Sequence, residues 1–202
     1  MKDNKFKDFE YAFVASYSAN KDFNGKNIKQ IAKMVRGKDN LNNQIEQIFE
    51  IYQGGGAQMV YHKMDEPDVQ NILREPFTMI ASDSGVRASG EGTPHPRGYG
   101  NNVRVLGRYV RELKIITLED AIRKMTSLPA QTFNLKDRGL IKVGFAADLV
   151  IFDEKTISDK ATYDNPHQYP VGISNVFVNG KSTFSEGQMT SVRNGQALRL
   201  NR

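Results

Sequence analysis

Few side chains in this sequence are suited to holding a transition metal. There is no cysteine, and the only histidines in 202 residues are His62, His95 and His167. Without thiols, disulfides and thiolate metal sites are excluded. A metal would need His, Asp, Glu or a modified Lys, and three scattered His are few for a self-contained site. The carboxylate that draws attention is Asp83, in "MIASDSG" (79–85), where a short apolar run stops at an acid followed at once by Ser84 and Gly85. Asp, Ser and Gly are ordinary turn formers. An acid at the C-terminal end of a parallel strand is also where βα barrels place catalytic groups. On these residues alone both readings stand. About a dozen residues later, "TPHPRGYG" (93–100) carries His95 and Arg97 in a loop stiffened by Pro and Gly. An Arg held this way can grip a carboxylate through two parallel N–H···O bonds. The competing reading is a surface Arg beside a solvated His. His62 in "MVYHKM" and His167 in "NPHQYP" are better read as hydrogen-bonded structural histidines than as metal ligands.

The surrounding pattern indicates what positions these groups. "YAFVASY" (11–17) reads as a buried strand. Ile28, Ile31, Ala32 and Val35 fall at helical spacing, and so do Leu41, Ile45, Ile48, Phe49 and Tyr52 in a second helix that "GGG" (54–56) stops. "AQMVYHKM" is a second strand, "DEPDVQNILREP" a helix with acidic residues in its first turn, and "FTMIAS" (77–82) a third strand ending on Asp83. Strands alternating with helices predict parallel βα units.

A long Gly/Pro/Ser-rich loop occupies 84–101, the kind of segment that more often carries function than not. Three helical stretches follow: one with Val103, Leu106, Val110 and Leu113 on one face, one opened by Thr117 with Asp120 at capping-box spacing, and a short one at 127–133. From about residue 139 the pattern turns β-rich, with strands at "ADLVIFD" and "ISNVFVNGK" and a hairpin signal at Asn179-Gly180. The tail reads as loosely ordered or as an edge strand.

Bulk properties narrow the function classes. Hydrophobic residues make up 39% and charged residues 25%, an ordinary globular balance. The net charge of +5 is modest and spread out, with no basic run of the kind that marks a nucleic-acid binder. The first ten residues are charged and lack the apolar stretch of a signal peptide, and no segment approaches the length of a membrane span. The expected location is the cytoplasm, with neither nucleic acid nor membrane as partner.

"GLIKVGFAADLVIFD" (139–153) resembles the C-terminal signature of the amidohydrolase superfamily. Together with "MIASD", "HPRGYG", "RVLGRYVRE", "LEDAIRKMTSLPAQTFNLKDRG" and "NPHQYPVGISNVFVNGK", it resembles the N-acyl-D-amino-acid deacylases, or D-aminoacylases, most densely over 57–181. The resemblance implies an α/β fold. Residues 1–138 would form the C-terminal part of a metal-dependent (β/α)8 TIM barrel. Residues 139–202 would supply the C-terminal strands of a small β-sandwich.

It also implies roles. Asp83 matches the catalytic Asp that takes a proton from a zinc-bound water and passes it to the leaving amine, and it could itself touch the metal. Arg97 matches the Arg that holds the carboxylate of the D-amino-acid part. His95 shares that substrate-binding loop motif without an assigned step, and His62 matches no metal ligand. Where the family usually reads Asp-Gly, this sequence reads Asp83-Ser84-Gly85. Members of the family are roughly twice this length or more, as a barrel of about 250 residues with an extra domain requires. Their zinc-binding residues lie on earlier strands. The resemblance therefore implies a chain that needs the N-terminal half of the barrel as a partner, is inactive alone, and leaves a strand edge open to association. The alternatives are a cyclic amidase of the hydantoinase or dihydroorotase type, and a non-catalytic interaction module in which Asp83 is a relic.

Overall fold

A computed structural model of the protein describes residues 7–86 and 88–199. They divide into two compact units: residues up to 65 with 84–98 and 161–168, and residues 66–83 with 99–160 and 169 onward. The charged start of the chain, read above as no signal peptide, lies mostly outside the described residues.

In the first unit, β1 (Ala12–Ser16) is followed by a 3-10 turn (Lys21–Phe23), α1 (Ile28–Arg36), α2 (Leu41–Gln53) and β2 (Gln58–Tyr61). Asn27 opens α1 with a reciprocal cap: its side chain accepts from the Gln30 N–H, and the Gln30 side chain accepts from the Asn27 N–H. Gly37 closes α1 in the left-handed region at φ 72°. Ala12, Val14, Tyr17, Phe23, Ile28, Ile31 and Ile51 form the core of this unit.

Two expectations change here. β1 and β2 pair with each other antiparallel, Phe13 opposite Val60, where parallel βα pairing was predicted. A single crossover helix returns the chain for a parallel strand; two helices in series return it to the opposite end. The apolar stripe of α2 also turns outward. Phe49 and Tyr52 are 61% and 77% exposed, while Gln44 and Gln47 are buried. Hydrogen bonds account for the inversion. The Gln44 side chain accepts from the Phe9 N–H (2.8 Å) and donates to the Asp39 carbonyl (2.6 Å), and Gln47 accepts from the Arg36 guanidinium (2.5 Å). A buried amide with all its partners is tolerated where an unpaired one would not be.

In the second unit, α3 (Glu66–Arg74) leads through a turn into a stretch without regular secondary structure. After α4 (Arg97–Arg104), whose first two residues belong to the first unit, the chain continues as a π-helix over Val105–Glu112, followed by α5 (Leu118–Met125) and α6 (Ser127–Thr132). Thr117 caps α5, accepting from the Asp120 N–H as its spacing predicted. The core joins Val103, Val105, Leu106, Ala121 and Ile157, with Ile80, Ile122, Met125, Phe152 and Ile173 packed against them.

β3 (Leu149–Phe152), β4 (Ile173–Val178), β5 (Lys181–Ser185) and β6 (Gln188–Met189) make an antiparallel sheet in that order. The hairpin at Asn179-Gly180 forms as expected, with both residues at positive φ (47° and 77°), as a tight two-residue turn requires. β3 is an edge strand and exposes Val150 and Ile151.

Residues 77–82 do not form the predicted strand: Phe77 lies in a turn, and 78–82 have no regular structure and no ladder. A strand needs a neighbour for its N–H and C=O groups, and this stretch bonds instead to α5, where the Lys124 carbonyl accepts from the Ile80 N–H at 3.2 Å.

Candidate functional site

Asp83 lies at the end of this irregular stretch in the second unit, exposed and in the left-handed region at φ 48°. Non-glycine residues rarely adopt that conformation, and Asp and Asn do so most readily. It is therefore not a strand-end residue as predicted, but a carboxylate set on a sharp backbone corner. The stretch before it is clamped by α5. Lys124 is fully buried, and its ammonium donates to the carbonyls of Glu75 and Thr78. The Arg123 guanidinium donates to the Pro76 carbonyl at 2.6 Å.

His95 and Arg97 belong to the first unit, where the structure brings them together. Arg97 is the first residue of α4, and its backbone N–H donates to Nδ1 of His95 at 3.0 Å. His95 Nε2 lies 3.0 Å from the Tyr163 hydroxyl. The Tyr163 ring stands edge-on to His95 and tilts against His62, with centroids at 5.0 and 4.3 Å, and His62 stacks on Phe13 of β1 at 4.6 Å. The three aromatic or imidazole neighbours Phe13, His62 and Tyr163 thus back the histidine that touches Arg97.

The loop carrying these residues is tied down at its other end. His167 Nδ1 accepts from the Gly90 N–H at 3.2 Å and Nε2 sits 2.9 Å from the Gly92 carbonyl, a structural role as predicted. The Thr93 N–H donates to the Ala15 carbonyl at 2.7 Å. Gly92, at φ 63°, is required there: a Cβ would lie 2.7 Å from that same carbonyl.

Burial, the Arg97 guanidinium and His62 push the His95 imidazole down to about 4. All three disfavour the imidazolium. A His depressed below its unfolded value of about 6.5 lends stability that is full above that value and is lost as pH falls from there through the folded value. We expect an NMR titration of the His95 ring to give a midpoint near 4. A midpoint near 6.5, that of a solvated His, would contradict this environment.

Among the described residues, no group of three or more His, Asp or Glu side chains is placed to hold a metal ion. His95 and His167 use both ring nitrogens in hydrogen bonds, and His62 stacks on Phe13. These residues do not fit a metal on their own. Also among the described residues, no helix is long and apolar enough to cross a membrane.

Sequence reasoning missed Tyr163 and Lys124. Tyr163 stands 68 positions from His95, and nothing local links them. Lys124 did leave a signal, since it lies three residues after Ala121 within the apolar stripe of α5.

The chain is similar to known enzymes over much of its length. It is 45% identical over 143 residues to an N-acyl-D-glutamate deacylase of Alcaligenes xylosoxydans xylosoxydans, an overlap covering 71% of this chain and 28% of that enzyme. A D-aminoacylase of the same organism is 44% identical over 142 residues, 70% of this chain and 29% of the enzyme. A dihydroorotase of Lactobacillus acidophilus is 33% identical over 91 residues, 45% of this chain and 20% of that one.

Among solved structures, an N-acyl-D-glutamate deacylase from Bordetella bronchiseptica, complexed with zinc and a phosphonate mimic of the tetrahedral intermediate, aligns with a TM-score of 0.80 at 34% identity. It covers 95% of this chain and 38% of its own. A D-aminoacylase described for its binuclear metal centre aligns at 0.79 and 35% identity, covering 91% of this chain and 36% of its own. The chain thus spans under a third of the length of the two deacylase relatives. A family model for the amidohydrolases matches residues 42–184, a stretch that contains Asp83, His95 and Arg97. With its helices and strands aligned to those structures and most of its length inside that match, the chain belongs to the amidohydrolase family.

Proposed function

We propose that this chain is the Asp- and Arg-bearing portion of a hydrolase that cleaves the amide bond of N-acyl-D-amino acids, giving a D-amino acid and a carboxylate. The observation that carries this reading is the 45% identity to an N-acyl-D-glutamate deacylase, in a chain whose family match includes both residues. Asp83 takes a proton from the attacking water as its oxygen adds to the amide carbonyl, and returns it to the nitrogen as the C–N bond breaks. Arg97 binds the substrate carboxylate. The barrel portion would be residues 1–138 and the β-sandwich portion 139–202. The remaining part of the barrel, as carried by the relatives, is the partner required for activity. Zinc is the metal proposed by likeness to the Bordetella enzyme. The described residues do not assemble a site for it, and this chain's contribution is the carboxylate and the guanidinium.

Arg97→Ala tests the reading in the reconstituted enzyme, meaning this chain together with the segment of the deacylase relatives that it does not cover. A hydrogen bond to a charged group is worth about 1.5–3 kcal/mol, so KM for an N-acyl-D-amino acid should rise about 10- to 100-fold. For the matching amide, which lacks the carboxylate, KM should be unchanged. An unmoved KM for the acid would contradict the reading. The dihydroorotase likeness favours a second reading, a cyclic amidase, over a shorter stretch. Ring opening of a cyclic imide without hydrolysis of linear N-acyl-D-amino acids would establish that one instead.

A further inference from the structure

Resting on the proposed role of Arg97, we infer that His95, held by Tyr163, is a positioning residue that sets the backbone at Arg97 and so aims its guanidinium at the substrate carboxylate. His95 Nδ1 accepts the N–H of Arg97 itself, two residues on. This is the geometry in which an Asn or Asp side chain closes a turn on its own backbone. An accepting Nδ1 leaves the hydrogen of the neutral ring on Nε2, where the Tyr163 oxygen accepts it at 3.0 Å. The partner fixes the tautomer, and the tautomer keeps the acceptor facing Arg97. Pro94 and Pro96 flank His95 and restrict its backbone. The edge-on Tyr163 ring, backed by His62 and Phe13, restricts its side chain. Burial beside Arg97 keeps the ring neutral, so the acceptor persists through the neutral pH range. The charged and titratable neighbours that face this ring are Arg97, His62 and Tyr163.

The test separates an acceptor at this one atom from a general packing role. In the reconstituted enzyme, His95→Ala and His95→Gln should raise KM for an N-acyl-D-amino acid about tenfold and leave kcat within about threefold, since a hydrogen bond worth about 1.4 kcal/mol is lost. His95→Asn places its amide oxygen where Nδ1 stood and should restore KM to within about threefold of the parent. Tyr163→Phe, which removes the tautomer-setting partner, should raise KM by a smaller factor. On an Arg97→Ala background, His95→Ala should have no further effect on KM. If Arg97→Ala alone leaves KM unchanged, the reading of Arg97 fails. If Arg97→Ala raises KM while His95→Ala and His95→Gln do not, this inference alone fails. It fails too if His95→Asn is no better than His95→Ala. A measurement on the unmutated chain needs no variant to fold: the Arg97 amide should be protected from hydrogen exchange at neutral pH, and rapid exchange there would overturn the inference.

Discussion

Asp83→Asn is expected to lower kcat for N-acyl-D-amino acid hydrolysis by the reconstituted enzyme about 100- to 10,000-fold, the usual range for loss of a positioned proton-transfer group, with KM changed by less than about threefold. The amide is nearly isosteric but cannot take the proton from water or return it to nitrogen. The variant is a clean one for a backbone reason. Asp83 sits at φ 48°, a conformation that Asn tolerates at least as well as Asp, whereas Ala would add strain. The melting temperature of Asp83→Asn should therefore stay within about 2 °C of the parent, because Asn keeps the size of this exposed side chain and suits its backbone conformation, a change of about 0.5 kcal/mol or less. Steady-state kinetics on the reconstituted enzyme check the first half, and thermal unfolding of the chain checks the second. A kcat within tenfold of the parent would remove Asp83 from the proton path.

Lys124→Ala produces the largest expected loss of stability. The side chain is fully buried, and its ammonium meets the carbonyls of Glu75 and Thr78, with an Asp120 carboxylate oxygen 3.7 Å away. Truncation removes the buried aliphatic stem and strands the acceptors, for about 3–5 kcal/mol. At about 2–4 °C per kcal/mol for a chain of this size, the melting temperature should fall by roughly 10 °C. Lys124→Met fills the space without donating and should fall between the two. A shift below about 2 °C for Lys124→Ala would show that the clamp on residues 75–80 carries little. The clamp bears on the role proposed for Asp83, because the same stretch delivers it to its corner.

How far the sequence reaches depends on how local the determining physics is. The N-terminal cap of α5 at Thr117, the stop of α2 at Gly54 and the hairpin at Asn179-Gly180 were legible because each is decided within a few residues. The direction of β1 against β2 was not, because the number of helices between two strands sets it and the strands' own pattern does not. The outward face of α2 was misread for a related reason. Gln44 and Gln47 look solvent-facing until the partners from Phe9, Asp39 and Arg36 are known. In the candidate site, Asp83 and Arg97 stand out by residue type and loop character. The contact of His95 with the Arg97 backbone was hidden in rotamer geometry, and Tyr163 in a contact across 68 positions.

These residues are proposed to belong to a hydrolase of linear N-acyl-D-amino acids. The most direct measurement is the release of free amino acid from paired D and L substrates, N-acetyl-D-glutamate against N-acetyl-L-glutamate and the corresponding neutral pair, by this chain reconstituted with the segment of the deacylase relatives that it lacks. The account predicts release from at least one D substrate, little or none from its L partner, and loss of that release with Asp83→Asn. A folded, reconstituted enzyme that releases no amino acid from any D substrate, or that favours the L form, would contradict it.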